Sequence, residues 1–121
     1  YRDAIEPKLK LFIQIEHKDA VECIDEIFST GGLSGYFIGP YDLSASLGRP
    51  GDFGNTRLCR YLAAVKKAGE RHGVPAGFHA VEPDAALIRG KIREGYALIA
   101  VSLEMLLLGR ALEDLFGKMR A

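Results

Sequence analysis

The sequence predicts an α/β fold on a parallel sheet, and three observations carry that prediction. Short β-rich runs alternate with helical apolar periodicity four times, glycines and prolines punctuate the boundaries, and the connections are mostly short. Four consecutive βα units follow, with right-handed crossovers laying the helices over the sheet.

The elements follow in order. "LFIQIE", residues 11–16, is the first strand, and Ala20, Val21, Ile24, Ile27 and Phe28 form the inner face of a helix stopped by Gly31 and Gly32. "GYFIG" is the second strand. After a loop, Asn55 or Thr56 opens a helix with Leu58, Tyr61, Leu62, Val65, Ala68 and His72 on its inner stripe, closed by Gly73. "VPAGFHA" is the third strand, and Pro83 fits the first turn of a helix carrying Ala86, Leu87, Ile88 and Ile92 up to Gly95. "YALIAVS" is the fourth strand. The last helix holds Leu103, Leu106, Leu107, Leu112, Leu115, Phe116 and Met119, while Met105 and Leu108 widen its stripe beyond one sheet face, so contact with a second chain is expected.

A length of 121 residues at 48% hydrophobic content fits one domain, 1–121. Sixteen basic against sixteen acidic residues give a net charge of zero without a basic stripe, which argues against nucleic acid as a partner. Apolar runs such as "LEMLLLG" fall far short of the roughly 20 residues needed to cross a bilayer, and "YRDAIEPKLK" lacks a signal-peptide segment, so no membrane role and a cytoplasmic location are expected. Cys23 and Cys59 have no metal or disulfide spacing and read as free thiols. The chain starts at Tyr1 without a methionine, as the middle of a longer protein would.

The stretch "GYFIGPYDLSAS" poses the functional question: an apolar strand stops at Gly39-Pro40 and delivers Asp42 two residues later. That carboxylate is either a cap for the next helix or a group placed at a strand's carboxyl end, where parallel α/β proteins build sites. The one long connection, Tyr41 to Gly54, starts there and lacks the GxxxxGK[ST] of a phosphate loop. In the first strand, alternation puts Phe12, Gln14 and Glu16 on one face, where polar groups are costly unless they bind something. Glu16 either caps or pairs with the helix start near Lys18, or converges with Asp42 across adjacent strands roughly 5 Å apart on a hard divalent cation. Two carboxylates with open positions suit Mg²⁺ or Mn²⁺ ahead of Zn²⁺ or Co²⁺. Among the histidines, His17 reads as solvated and His72 as a helix-end dipole contact, while His79 shares a face with Gly77 and is either a pocket residue or a hydrogen-bonded core histidine.

"QIE" at 14–16, "FIGPYDLSASLG" at 37–48, "PAGFHA" and "VSLEMLLLGRAL" together resemble the carboxyl-terminal half of the HpcH/HpaI aldolase family, from Leu11 onward. The resemblance implies the second half of a (β/α)₈ TIM barrel of the phosphoenolpyruvate/pyruvate type. It also implies a metal-dependent class II aldolase that forms or cleaves 4-hydroxy-2-oxo acids through a pyruvate-type enolate. By the same resemblance Glu16 and Asp42 bind the metal, Gln14 contacts the 2-oxo acid, and the Tyr41 backbone contacts its carboxylate. The substrates implied are a 2-oxo acid and an aldehyde, and the assembly a homo-oligomer with contacts through the terminal helix. The family's base histidine and enolate-stabilising arginine belong to the amino-terminal half, so no catalytic residue of that kind is expected in this chain. Glu104 stands where the family more often has aspartate, and neither Arg49 nor Arg110 matches a family motif. The alternatives are a silent half-barrel that binds metal or carboxylate, and a coenzyme A thioester lyase like the citrate lyase β-subunit.

Overall fold

The computed structural model describes residues 9–120, so residues 1–8 of the opening segment read for a leader lie outside the described residues. The order is β1 (Phe12–Ile15), α1 (Lys18–Glu22), α2 (Ile24–Ser29), β2 (Gly35–Ile38), α3 (Pro40–Ser46), α4 (Thr56–His72), β3 (Gly77–Ala80), α5 (Ala85–Arg93), β4 (Leu98–Val101) and α6 (Glu104–Arg120). The helix expected after the first strand is broken at Cys23 into α1 and α2, and the long connection after the second strand opens with α3.

The strands run parallel, as expected, but not as one regular sheet. β1 pairs with β2 from Phe12↔Gly35 to Ile15↔Ile38, and β3 with β4 from Gly77↔Leu98 to Ala80↔Val101. Between the pairs stands a single bridge, Tyr36↔Ala76, where the Tyr36 N–H donates to the Pro75 carbonyl at 2.9 Å. The seam is therefore closed at the amino end of the strands and carries no further pair toward their carboxyl ends among the described residues.

The core lies under β1 and β2. Ile15, Val21, Ile24, Phe28, Tyr36, Leu43, Leu58, Val65, Ala68 and Val74 form one buried cluster, which joins α1 to α4 to the first strand pair. Tyr36 stacks on Phe28 with ring centroids 5.0 Å apart, and Gly69 makes room for it, since a Cβ there would stand 2.6 Å from the ring. Burial pushes the Tyr36 hydroxyl pKa up to about 12.

Local signals explain the boundaries. The Asn55 carboxamide accepts from the N–H groups of Arg57 and Leu58, and Gly73 ends α4 at φ 65°, a left-handed turn that glycine adopts freely. Asp84, not Pro83, caps α5, with its carboxylate accepting from the Leu87 N–H at 2.6 Å; Pro83 precedes the cap instead of lying in the first turn. The apolar stripe expected to bury α5 is uncovered, with Leu87 39% and Ile92 58% exposed. No residue of α6 is buried, and Met105, Leu108, Phe116 and Met119 all stand exposed. Among the described residues, no helix is long and apolar enough to cross a membrane.

Candidate functional site

Gly39 is the joint of the site. Its N–H donates to the Ile15 carbonyl at 3.1 Å, so the β1–β2 ladder runs to the last residue before α3. As the N-cap of α3 it offers no side chain, and Pro40 follows at the first helical position, where its missing N–H costs nothing. The Tyr41 and Asp42 N–H groups are thus the ones left without an intrahelical carbonyl. Leu43, fully buried, pins the helix to the core.

The serines of this segment fasten the loop. The Ser44 hydroxyl donates to the Tyr41 carbonyl at 2.6 Å and accepts from the Gly51 N–H at 2.8 Å, folding the connection back on α3. The Ser46 hydroxyl accepts from the Lys18 N–H at 3.0 Å, tying α3 to the start of α1.

Beside Gly39 stands the polar end of β1. The Gln14 side-chain amide donates to a Glu16 carboxylate oxygen at 2.6 Å. A Cβ on Gly39 would fall 2.8 Å from Gln14 Nε2, 3.1 Å from Glu16 Cβ and 3.4 Å from Glu16 Oε2. The bare glycine therefore lets the Gln14 amide and Glu16 pack close to the turn that carries Asp42. The capping alternative for Glu16 is not realised: His17 caps α1, its Nδ1 accepting from the Asp19 N–H at 3.3 Å. Asp42 is no cap either, as it lies inside the first turn of α3. Neither Glu16 nor Asp42 forms an ion pair among the described residues, the alternative Glu16–Lys18 pair included.

Gln14, Gly39, Tyr41, Asp42 and His79 line one cavity of about 890 Å³, closed at the sides by Phe37, Phe78 and Leu62. It opens over the seam between the two strand pairs. Phe37 lies across Gly77, where a Cβ would stand 2.6 Å from the ring, and tilts against Phe12 at 5.9 Å. The cavity lining is thus part aromatic and part polar. His79 Nε2 lies 3.0 Å from the Ser102 carbonyl oxygen. Ser102 was not singled out in the sequence; its signal is a backbone φ of 59°, which one-dimensional pattern does not reveal.

Two other histidines stand apart from the cavity. His72 is in the last turn of α4, as the dipole reading expects, and its Nε2 also meets Asp25 at 2.8 Å, with Arg71 on the same carboxylate oxygen. Arg110 pairs with Glu82. The donor set for a metal is small: among the described residues no three His, Cys, Asp or Glu gather closely enough to hold an ion, which leaves the two free carboxylates.

Comparison with known proteins reaches the same segment. Residues 4–111 match the model of the HpcH/HpaI aldolase/citrate lyase family. A 2-keto-3-deoxy-L-rhamnonate aldolase of Escherichia coli is 36% identical over 114 residues, covering 94% of this chain and 42% of the relative. The crystal structure of an HpcH/HpaI aldolase from Desulfitobacterium hafniense DCB-2 superposes with a TM-score of 0.79 at 27% identity, covering 98% of this chain and 45% of that one. A family protein from Burkholderia cenocepacia J2315 gives 0.76 at 33% identity, covering 95% and 44%. The chain spans less than half the length of these relatives. Its structural neighbours are of the TIM-barrel type, in keeping with its mixed α/β content. With its motifs, its fold and its relatives in agreement, the chain belongs to the HpcH/HpaI aldolase/citrate lyase family.

Proposed function

We propose that this chain is the metal- and substrate-binding half of a (β/α)₈ barrel, 1–121 as one partial domain, in a class II aldolase acting on 4-hydroxy-2-oxo acids. The observation that carries the reading is the close packing at Gly39: the Gln14-held Glu16 carboxylate lies against that glycine, Asp42 follows it in the first turn of α3, and Gln14, Gly39 and Asp42 line a roomy cavity.

The residues fit a hard divalent cation. Glu16 and Asp42 offer oxygen donors only, both exposed and without a cationic partner among the described residues, and two protein ligands leave places for water and substrate as Mg²⁺ or Mn²⁺ prefers. Bound there, such an ion supplies Lewis acidity toward a 2-oxo group. The rest falls to the protein. Gln14 holds Glu16 by its amide and presents its own carbonyl oxygen and remaining N–H at the cavity wall. The Tyr41 and Asp42 N–H groups offer two donors for the substrate carboxylate. Phe37, Phe78 and Leu62 give the cavity apolar walls. None of the lining residues matches the family's base, so proton removal from the 2-oxo acid is assigned to the half of the barrel outside this chain.

The test is exchange of the pyruvate methyl protons with deuterated solvent in the complete polypeptide that carries this chain. Exchange that requires a divalent ion and is lost in Glu16→Gln and in Asp42→Asn supports the reading. Exchange that persists in both variants overturns it. The chain alone, without the base, should be slower by a factor of about 100 to 10,000.

A further inference from the structure

We propose that His79 reads the aldehyde-derived part of the substrate, accepting a hydrogen bond from a substrate hydroxyl at Nδ1, and that Ser102 is its positioning residue. The inference rests on the aldolase reading above and extends it to the substrate class.

Geometry fixes the tautomer. His79 Nε2 is 3.0 Å from the Ser102 carbonyl oxygen, and a carbonyl only accepts, so Nε2 carries the proton. In the neutral ring Nδ1 is then a bare acceptor. No hydrogen-bond partner meets Nδ1 among the described residues. Of the cavity-lining residues contributed by β3 and β4, Gly77, Phe78, His79 and Ala100, His79 alone is polar. Tyr96 also lines the cavity but at the amino end of β4; toward the carboxyl ends of the two strands a polar substrate group finds one side-chain partner among the described residues, and that partner accepts.

Ser102 holds the carbonyl in place. It directly follows β4, with its N–H donating to the Ala80 carbonyl at 2.7 Å, and it is the one non-glycine residue with positive φ among the described residues. That conformation is strained for serine and costs nothing to glycine, so it persists where the surroundings impose it. Here the imposed turn sets the Ser102 carbonyl against the His79 ring instead of along the ladder. The residue is 7% exposed, and its hydroxyl meets no partner among the described residues.

The two ends of the cavity then divide the substrate. Gln14, Tyr41 and Asp42 lie on the β1–β2 side and His79 on the β3–β4 side, so a 2-oxo acid anchored at the first presents its reacting carbon toward the second. In the aldol step the enolate carbon bonds to the aldehyde carbon, and the aldehyde oxygen takes up a proton to become a hydroxyl. Hydroxyls on the neighbouring aldehyde carbon are donors within the class that Nδ1 accepts. The predicted acceptors are therefore 2-hydroxy aldehydes in preference to unsubstituted ones.

The complete polypeptide is assayed with pyruvate and either glycolaldehyde or acetaldehyde, which differ by one hydroxyl. His79→Leu is expected to lower the glycolaldehyde-to-acetaldehyde ratio of kcat/KM by about three- to tenfold, with His79→Gln restoring part of the ratio. An unchanged ratio with normal exchange overturns the role of His79 and leaves the aldolase reading standing. A wild type that neither exchanges pyruvate protons nor condenses either aldehyde overturns both. Nitrogen-15 NMR of the wild-type imidazoles at pH 8 tests the positioning without any variant: the Nε2–H tautomer is expected for His79, and the Nδ1–H tautomer contradicts the proposal.

Discussion

The Gln14 amide nitrogen lies 2.6 Å from the Glu16 carboxylate, and a single added carbon on Gly39 would reach 2.8 Å from that same nitrogen. The bond and the bare glycine are one device, because the amide keeps its place only while Gly39 has no side chain. Gly39→Ala is compatible with the local φ of −92°, and the atom it meets most closely is the far end of a flexible side chain. The variant should therefore fold within about 1 kcal/mol of wild type. It should nonetheless weaken divalent-ion and pyruvate binding, read by titration calorimetry beside a thermal melt.

Leu43 stands directly after Asp42 and is wholly buried against the core. Leu43→Ala removes the anchor of α3 and should cost about 2 to 5 kcal/mol in urea unfolding. Because Leu43 is buried, the loss should be larger than for an exposed leucine such as Leu108.

Asp25 joins α2 to the end of α4. The Arg71 hydrogen bond first, and the His72 hydrogen bond second, hold its carboxyl below the ordinary 3.8. A depressed folded-state pKa gives stability that is present above the unfolded value and lost as pH falls through the lower, folded one. Asp25→Asn should therefore lower the unfolding midpoint at pH 5 to 7, with the difference closing below pH 3.8. A difference that grows toward acid would show the opposite linkage.

How much of this was legible in the sequence differs by element. Four strands and their helices could be read because alternation and 3.6-residue periodicity record burial directly, and Asn55 and Gly73 announce the ends of α4 by their backbone chemistry. Gly69 could not be understood that way: in sequence it is a poor helix residue, and only the Tyr36 ring lying against it explains why no side chain is tolerated. Gln14 and Glu16 stood out as polar residues on a face that ought to be apolar, and Asp42 as a carboxylate just past a strand end; Gln14 and Glu16 lie against Gly39, and Asp42 follows it in the first turn of α3. The seam at Tyr36↔Ala76 was invisible, since strand propensity says nothing of which neighbours pair. The stripe of α5 was read as a buried helix face, because periodicity does not say what a face packs against, whereas that of α6 was read as wider than one sheet face and so in contact with a second chain.

Those uncovered faces carry a prediction. β1 and β4 leave backbone groups unpaired at the outer edges of the strand array, and the leucines of α6 add a broad apolar surface. The 121-residue chain on its own should elute as a dimer or larger species in size exclusion with light scattering, a two-fold pair being the simplest closed form. A monodisperse monomer that unfolds cooperatively at low concentration would contradict this.

The most direct test of the central assignment is a Mn²⁺ titration of the complete polypeptide, followed by electron paramagnetic resonance, in wild type, Glu16→Gln and Asp42→Asn. One weak site per chain in wild type, with affinity lowered at least about tenfold in each variant, is the predicted result. Equal affinity in all three proteins would contradict the placement of a metal between Glu16 and Asp42.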